Sequence, residues 1–237
     1  MFDFLDQVAV VTGAAGNLGV AVAEAFHQAG ARLVLVDVNY DRLEQMYGSV
    51  AEEGKALLAA VNLLDAAAVD ALFTDAIDQF GRVDILTNIA GGFTMGPRLH
   101  ETPPETFAFM FDLNAKTVFH TCRSAVPHMF AQKRGKIINI AARAGLEGKA
   151  QMAAYTASKS AVIRLTEAMA GELKADGINV NCILPGTIDT PRNRIDTPNA
   201  DFSRWVPPAD LANVILFLAS DASRAIHGAS VPVYGLS

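Results

Sequence analysis

A tyrosine and a lysine four residues apart are the first feature of this sequence that could carry out chemistry. Tyr155 and Lys159 lie at the start of an apolar, Ala-rich run, residues 155–173, which predicts a long helix ending shortly before Gly177. At this spacing the two side chains share one helix face. A phenol normally titrates near pH ~10. An ammonium roughly 5 Å away, at an effective dielectric of about 20, lowers such a pKa by on the order of two units. The pair therefore predicts that Tyr155 acts as an acid/base near neutral pH.

A glycine-rich turn near the N-terminus predicts a phosphate-binding site. The apolar strand 8–12 runs into the segment GAAGNLG, residues 13–19, after which apolar residues recur at helical spacing. Glycines let the backbone approach a pyrophosphate, and the following helix N-terminus supplies free N–H groups and positive partial charge. Strand, turn and helix in this order are typical of dinucleotide binding.

The second predicted strand, residues 32–37, ends in Asp37. A carboxylate at this edge of a sheet can accept hydrogen bonds from the ribose hydroxyls of NAD, and it repels the 2′-phosphate of NADP. Without the glycine-rich turn before it, Asp37 would suit a turn or a helix cap equally well. With that turn, the sequence predicts NAD(H) as the preferred cofactor and disfavours NADP(H).

Strands alternate with helices along the whole 237-residue chain, with no linker or internal repeat. This order predicts an α/β fold in which residues 1–237 form one domain, a doubly wound parallel sheet of Rossmann type with helices on both faces. In such a sheet ligands bind at the carboxyl ends of the strands. The predicted site positions Gly13, Asp37, Asn88 and Pro185 all fall at that edge.

The pattern also predicts the ends of the third strand and of two helices. Leu57 to Leu63 predicts the third strand, followed by a helix capped by Asp65 and ended by Gly81. A further helix is predicted to begin near Pro103 or Pro104 and to continue past Asn114 toward Lys133. Pro127 is expected to kink that helix or split it in two, because proline lacks the N–H that a helix interior needs.

Charge and composition exclude several functional classes. The formal net charge of −6 argues against non-specific binding to nucleic acid or anionic membranes, which requires basic patches. No apolar run reaches the roughly 20 residues of a membrane span. The acidic start, residues 1–6, lacks the basic residues of a signal peptide, so we expect a cytoplasmic protein. Cys122 and Cys182 are isolated, which predicts no metal site and no disulfide framework.

In their order and spacing, these motifs resemble the short-chain dehydrogenase/reductase family over essentially the full length. The matching positions are residues 12–19, Asp37, residues 88–91, Asn114, residues 155–159 and residues 185–190. The resemblance implies an oxidoreductase with three catalytic residues. Tyr155 would transfer a proton, Lys159 would lower its pKa and hold the nicotinamide ribose, and Asn114 would support a water-linked proton relay. It implies cofactor contacts from Gly13, Asn17, Leu18, Gly19, Asp37, Asn62, Leu63, Asn88, Ala90, Gly91, Tyr155, Lys159, Pro185, Gly186, Ile188 and Thr190.

Two departures from the family pattern concern the cofactor. The family's turn usually has a glycine where this chain has Asn17. We expect a reshaped but working turn, because asparagine tolerates positive φ better than other non-glycine residues. Near the adenine the family usually has an aspartate, and here the residue is Asn62, whose side-chain oxygen can still accept a hydrogen bond.

A third departure concerns the chemistry. The family places a catalytic serine thirteen residues before the tyrosine, and this chain has Ala142 at that position. A methyl group cannot donate a hydrogen bond to a substrate carbonyl. Loss of such a donor costs about 3 to 4 kcal/mol of transition-state stabilisation where oxyanion donors have been removed. The chain is therefore expected to be a weak catalyst of ordinary ketone reduction or to use a substrate that does not need the hydroxyl.

One branch of the family, the dihydropteridine reductases, keeps the tyrosine and lysine without the serine. It reduces a quinonoid dihydropterin, an electron-poor ring that accepts hydride without a strongly polarised ketone. The segment 189–207 resembles the substrate loop of that branch, and it predicts a substrate loop or lid. The resemblance implies substrate contacts from Phe93, Arg192, Arg194 and Trp205, by stacking and by orienting the ring. The alternative is a generic surface lid, with the tryptophan packed beneath it and the arginines in solvent.

Three functions remain open from the sequence. The first is an NAD(H)-dependent oxidoreductase for an activated or conjugated substrate of dihydropterin type. The second is a carbonyl reductase, such as a 3-oxoacyl-carrier-protein reductase, in which another donor replaces the serine. The third is a non-catalytic NAD(H)-binding sensor or scaffold. The helices around Asn114 and Tyr155 are rich in small and apolar residues on more than one face, which predicts a homodimer or homotetramer.

Overall fold

The computed structural model describes residues 2–236, and its core is one parallel sheet of seven strands. The strand order is β3-β2-β1-β4-β5-β6-β7, with every neighbouring pair parallel. The strand bounds are β1 Val8–Thr12, β2 Arg32–Asp37, β3 Ala56–Ala60, β4 Ile85–Asn88, β5 Gly135–Ile140, β6 Ile178–Pro185 and β7 Ser230–Val233. The winding direction reverses between β1 and β4, which opens a crevice at their carboxyl ends. The predicted doubly wound fold is confirmed.

Helices cover both faces of the sheet. One face packs against α1, α2 and α8, and the other packs against α3, α5 and α6. The helix bounds are α1 Asn17–Gln28, α2 Tyr40–Glu52, α3 Ala66–Phe80, α4 Pro104–Phe111, α5 Thr117–Gln132, α6 Ala153–Leu173, α7 Pro191–Asp196 and α8 Pro208–Ala219. Because both faces are covered, β1, β4, β5 and β6 are buried along their whole length.

The boundaries of α3 follow the predicted capping residues. The Asp65 carboxylate accepts hydrogen bonds from the backbone N–H groups of Ala67 and Ala68 at 3.0 and 3.1 Å. Gly81 ends the helix in the left-handed region at φ 75°. Such caps satisfy backbone groups that the helix itself leaves unpaired.

The predicted third strand is too long at its carboxyl end. Strand β3 ends at Ala60, and residues 61–63 leave the sheet. Val61 still donates its N–H to the Asp37 carbonyl at 2.9 Å, and the segment 61–63 lines a cavity at the sheet edge instead of continuing the strand. Periodicity alone does not distinguish the two kinds of burial.

The expected split of the helix at Pro127 is wrong, since α5 runs through that residue to Gln132, whereas the alternative of a kink there stays a prediction. The Pro127 side chain is exposed, so the carbonyl that loses its helical partner lies on the solvent side, where water can satisfy it. The interruption lies earlier, in a π-helical turn at Asp112–Lys116 that separates α4 from α5. That turn contains Asn114. A π-turn of this kind often marks a functional position.

Residues 189–207 leave and rejoin the body of the protein at one neck. Ile188 and Val206 form an isolated parallel bridge, and the Asp189 N–H donates to the Val206 carbonyl at 2.9 Å. Between them lie α7 and a short 3-10 turn, Phe202–Arg204. We refer to this segment as the lid.

Within residues 2–236, no helix is long and apolar enough to cross a membrane.

Candidate active site

Two adjoining cavities lie at the carboxyl edge of the sheet. The first, about 430 Å³, extends over the glycine-rich turn and the ends of β2 and β3, and we call it the adenosine cavity. The second, about 480 Å³, contains Tyr155 and Lys159, and we call it the reaction cavity. They share Leu18, Ile89 and Gly91, so together they form one elongated cleft. A cleft at this switch point suits a dinucleotide.

The glycine-rich turn is shaped by two glycines. Gly13 adopts φ +65°, and a Cβ there would lie 3.0 Å from the Ala90 nitrogen. A Cβ on Gly19 would overlap the Gly13 carbonyl oxygen. Only glycine therefore allows helix α1 to begin this close to the strand ends. Gly16 precedes α1 and offers no capping side chain, so the first N–H groups of the helix face the cavity and suit an anion.

The backbone of Asn17 does not adopt the positive φ that is expected at this position. It is the first residue of α1, and it is not among the non-glycine residues with positive φ. The left-handed position of the turn is Gly13. The turn therefore works without strain at Asn17, whose side chain lines the adenosine cavity.

Asp37 lies at the end of β2 and lines the adenosine cavity. Its Oδ2 accepts from the Ala15 N–H at 3.1 Å, and its Oδ1 accepts from the Val38 N–H at 2.8 Å. These bonds fix the carboxylate beside the turn. Since each carboxylate oxygen accepts more than one hydrogen bond, capacity remains for ribose hydroxyls.

The predicted contacts around the adenine also line this cavity. Asn62 Oδ1 accepts from the Leu64 N–H at 3.1 Å, which closes a turn and orients its amide. The Leu63 carbonyl is held by His120 Nδ1 at 2.8 Å. The cavity brings together the predicted residues Gly13, Asn17, Leu18, Gly19, Asp37, Asn62, Leu63, Ala90, Gly91 and Thr190.

In the reaction cavity, Lys159 is buried and its Nζ donates to the Ile140 carbonyl at 2.8 Å. Burial lowers the pKa of Lys159 to about 8 and raises the pKa of Tyr155 to about 12. The prediction that Lys159 brings the phenol near neutral pH is therefore wrong for this structure. Burial is the main cause of both shifts, and it favours the neutral form of each group.

Phe93 and Tyr155 are packed edge to face beside the cavity. Their ring centroids are 4.9 Å apart with an interplanar angle of 89°. Among residues 2–236, no hydrogen-bond partner engages the Tyr155 hydroxyl, and the ring lines the cavity. Ala142 lines the same cavity in extended backbone, with φ −163°. The phenol thus faces the cavity beside a methyl group where the family has a hydroxyl.

The nicotinamide side of the cleft contains the remaining predicted cofactor contacts. Pro185 ends β6, Gly186 and Ile188 follow it, and all three line the reaction cavity with Tyr155 and Lys159. Thr190 lines the adenosine cavity instead, and its hydroxyl caps α7 by accepting from the Asn193 N–H at 3.2 Å. The segment after β6 therefore borders both halves of the cleft.

Asn114 and Asn88 do not line either cavity with their side chains. The Asn114 amide accepts from the Gly92 N–H at 2.9 Å and donates to the Gly92 carbonyl at 3.0 Å and to Ser158 Oγ at 3.1 Å. Asn88 is buried, donating to Asn139 Oδ1 at 2.8 Å and accepting from Thr121 at 2.7 Å. Both amides fix the backbone that borders the cleft, and the predicted packing of Asn88 along the adenosine side stays a prediction.

Three of the four predicted substrate contacts lie outside the reaction cavity. Arg192 lies on the surface and pairs with Asp196 at 2.9 Å. Arg194 pairs with Asp189 at 2.6 and 2.7 Å. Trp205 is buried under the lid against Phe202, with ring centroids 4.7 Å apart. None of them lines the reaction cavity.

Phe93 is the one predicted substrate contact that lines the cavity. This placement favours the generic-lid alternative for the tryptophan and the two arginines. The sequence held part of this signal, because the acids that bind the arginines, Asp196 and Asp189, lie four and five residues from them.

Several residues of the reaction cavity were missed. Arg143, Lys149, Met152, Thr187 and Asn193 all line it. Arg143 and Lys149 lie in the segment between β5 and α6, where no periodicity marks a functional side. The position of Arg143 directly after Ala142 was the one available signal.

The chain belongs to the short chain dehydrogenase family, whose sequence profile matches residues 7–200. It is 33% identical to 2-(R)-hydroxypropyl-CoM dehydrogenase of Xanthobacter autotrophicus, covering 98% of each chain. It is 31% identical to a 3-oxoacyl-[acyl-carrier-protein] reductase of Thermotoga maritima, covering 97% of this chain and 96% of the relative.

Among solved structures, carveol dehydrogenase from Mycobacterium avium in complex with NAD superposes with a TM-score of 0.91 at 28% identity. The match covers 99% of this chain and 98% of that one. Fold, family and relatives together define an oxidoreductase that uses a nicotinamide cofactor. The uncapped helix α1, the Gly13–Gly19 cradle and the continuous cleft fit such a cofactor.

Proposed function

We propose that the protein is an NAD(H)-dependent oxidoreductase that transfers hydride to an activated or conjugated substrate, best represented by a quinonoid dihydropterin. The observation that carries this proposal is Ala142. It lines the reaction cavity beside the Tyr155 phenol, at the place where the family has its serine. A substrate that accepts hydride without a polarising hydroxyl suits this cavity.

When bound, the nicotinamide supplies the hydride. Tyr155 supplies the proton, so that one hydride and one proton convert an unsaturated substrate bond into its reduced form. With a pKa of about 12, the phenol is a proton donor across the neutral range. Lys159, with a pKa of about 8, is mostly charged at pH 7 and stabilises the phenolate left behind. Asn114 holds Gly92 and Ser158 and thereby positions the loop and helix that frame the reaction.

The preference for NAD(H) is supported by the charge of the adenosine cavity. Asp37 is fixed there by Ala15 and Val38, and no lysine or arginine lines the cavity among the described residues. A 2′-phosphate would meet a carboxylate there, which disfavours NADP(H).

The dihydropterin is supported by the position of Phe93. The exposed Phe93 ring, packed on Tyr155, offers a flat apolar contact for a heterocycle. The lid residues Arg192, Arg194 and Trp205 do not contribute, because they are engaged elsewhere. Recognition of the ring therefore depends on the fixed part of the cavity.

A second candidate is a carbonyl reductase of the 3-oxoacyl thioester type. It is favoured by the similarity to the Thermotoga maritima reductase along 97% of the chain. In this case a donor other than residue 142 would polarise the ketone. Asn193 lines the cavity, and since its Nδ2 donates one hydrogen bond to the Ile188 carbonyl at 2.8 Å, its second N–H is the candidate donor.

The test is steady-state NADH oxidation with freshly generated quinonoid dihydropterin, run beside a 3-oxoacyl thioester, with Tyr155→Phe as the control variant. Turnover of the pterin that collapses in the variant is the expected result. Turnover of the thioester alone would replace the first proposal with the second. Tight NADH binding with no turnover on either substrate would favour a sensor or scaffold.

We also propose that copies associate through α5 and α6. Their outer faces border an apolar groove of about 370 Å³, and Phe119 beside it is 51% exposed. Burying such a surface is a common reason for symmetric association. Light scattering that gives a dimer or tetramer, and a monomer for Phe119→Glu, is the expected result.

A further inference from the structure

The segment 93–97 brings Phe93 to the reaction cavity, and we call it the Phe93 loop. Its two large apolar side chains, Phe93 and Met95, are 57% and 58% exposed, so burial in the core does not fix their positions. Just before the loop, the Asn114 amide binds both the N–H and the carbonyl of Gly92. Beyond that residue, another contact has to set the direction of the loop.

That contact is a backbone hydrogen bond to the segment before α6. The Gly96 N–H donates to the Gln151 carbonyl at 2.9 Å, and within residues 2–236 this is the one hydrogen bond of the Phe93 loop. Gly96, Gln151 and Tyr155 also line one small void, which places the loop directly against the start of α6. The bond therefore fixes the loop relative to the helix that carries Tyr155.

Gln151 has a backbone conformation that glycine adopts far more easily. Its φ of 62° lies in the left-handed region. The Met152 N–H donates to the Lys149 carbonyl at 3.2 Å, which closes a four-residue turn with Gln151 in its third position. Glycine is preferred there when φ is positive, and other residues are strained. The Gln151 side chain is exposed and has no hydrogen bond to another described residue, so the strain is not explained by what that side chain binds.

The strained turn leads directly into the catalytic helix. The Met152 carbonyl accepts from the Thr156 N–H at 2.8 Å, and Tyr155 lies in the same first turn of α6. Gln151 is thus connected to Tyr155 through the helix and to Phe93 through Gly96. Contact between the Phe93 and Tyr155 rings, with centroids 4.9 Å apart, joins the two connections at the cavity.

We infer that Gln151 is a positioning residue whose left-handed backbone presents its carbonyl to Gly96, and that this bond holds Phe93 against Tyr155 as one wall of the reaction cavity. The inference rests on the proposed function only in taking this cavity as the substrate site. Gln151 itself does not line the cavity, so it acts through Phe93. The side chain at position 151 matters only through the backbone conformation that it permits: glycine allows positive φ, and β-branched valine opposes it.

The first measurement follows the Tyr155 ring by NMR in protein labelled with ring-¹³C tyrosine. The chain has four tyrosines, and the Tyr155 signals are those absent from Tyr155→Phe. Phe93→Ala gives the positions of these signals without the neighbouring ring. The test variants are Gln151→Val, which opposes the left-handed backbone, and Gly96→Pro, which removes the N–H donor.

Three variants serve as matched controls. Gln151→Gly keeps the carbonyl and favours the left-handed backbone. Gly96→Ala keeps the N–H, and its Cβ would meet nothing within 4 Å. Lys133→Val places the same β-branched residue at another exposed position with positive φ, 53°, at the end of α5.

In both test variants the Tyr155 signals should move toward their positions in Phe93→Ala, and in the three controls they should stay at the wild-type positions. Turnover of quinonoid dihydropterin or of the thioester gives a second readout. Gln151→Val should lower kcat/KM at least about tenfold in the wild type and less than about threefold in the Phe93→Ala background. A residue that acts through Phe93 loses its effect when that ring is absent.

Wild-type Tyr155 signals in the folded test variants, or the same shift in Gln151→Gly or Lys133→Val, would overturn the inference. So would an equal loss of kcat/KM from Gln151→Val with and without Phe93. If Gln151→Val does not fold, Gly96→Pro against Gly96→Ala decides. The NMR signals require neither substrate nor turnover, so failure of the proposed activity leaves this test intact. Turnover that depends on Tyr155, with unmoved Tyr155 signals in the test variants, refutes only this inference.

Discussion

Replacing Ala142 with serine should convert the protein into a better reductase of ordinary ketones. Ala142 lines the reaction cavity and is 7% exposed, and its extended backbone is compatible with any residue. A serine there adds one hydroxyl at the cavity lining. Because the hydroxyl can be solvated in the cavity, we expect the free energy of unfolding to change by less than about 1 kcal/mol.

The size of the effect follows from the value of one oxyanion donor. Removal of such a donor costs about 2.7–4 kcal/mol, or ~10²–10³ in kcat. Restoring the donor beside Tyr155 should recover a large part of this transition-state stabilisation for a ketone substrate, because the ketone oxygen develops negative charge as hydride arrives. A dihydropterin develops its charge over a conjugated ring, so its kcat should change by less than about threefold, or less than ~1 kcal/mol.

The assay compares kcat/KM of the wild type and Ala142→Ser with NADH, on the acetoacetyl thioester and on quinonoid dihydropterin. Ala144→Ser, at a neighbouring position in the same cavity lining, is the matched control. The expected result is a rise of at least about tenfold for the thioester with Ala142→Ser alone. An unchanged thioester rate in a folded, NADH-binding variant would refute the argument that residue 142 limits the substrate range.

Three further changes test separate parts of the structure. Asp37→Asn keeps the acceptor for the Ala15 N–H but removes the negative charge, so the KM for NADPH should fall about tenfold or more relative to the KM for NADH. An unchanged ratio of the two KM values would contradict the role of Asp37. Gly19→Ala should destabilise the protein by more than about 2 kcal/mol and abolish NADH binding, because its Cβ would overlap the Gly13 carbonyl. Its control Gly171→Ala, an exposed helical site with nothing within 4 Å, should be neutral or stabilising by up to about 1 kcal/mol in urea unfolding. Burial lowers the pKa of Lys159 from 10.5 to about 8. Between these two pH values the unfolded chain therefore binds more protons than the folded protein. The free energy of unfolding of the cofactor-free protein should then rise with pH across that window by up to about 3 kcal/mol. Lys159→Met should remove this rise, and persistence of the full rise would assign it to other groups.

The fold was predictable because its signals are local. Alternation of apolar strands with capped helices is encoded residue by residue, as Asp65 and Gly81 show at the two ends of α3. Most of the residues that line the cleft were predictable for the same reason, since backbone turns and strand ends place them there. What failed depends on partners remote in sequence or on solvent. Pro127 is tolerated because it faces water, and β3 stops early because residues 61–63 line a cavity.

The substrate side was predicted least well. Arg192 and Arg194 had suitable chemistry, but nearby acids within the lid bind them. The pKa of Tyr155 was predicted in the wrong direction because the charge of Lys159 was counted and burial was not. Arg143 was not predicted to line the reaction cavity, because its position depends on packing against the ring of Tyr234, which lies 91 residues away in the sequence. Side-chain partnerships of this kind are set by tertiary structure.

Serine-free reduction that depends on Tyr155 is tested most directly by a single-turnover experiment, in which NADH-loaded protein is mixed with quinonoid dihydropterin. The cofactor is either NADH or NADH deuterated at the transferred position, and the protein is either the wild type or Tyr155→Phe. We expect rapid NADH oxidation whose rate falls with the deuterated cofactor and falls by ~10² or more in the variant, because hydride transfer and proton donation occur together in this cavity. Oxidation at the same rate in Tyr155→Phe, or no oxidation in the wild type, would contradict a serine-free reductase that depends on Tyr155.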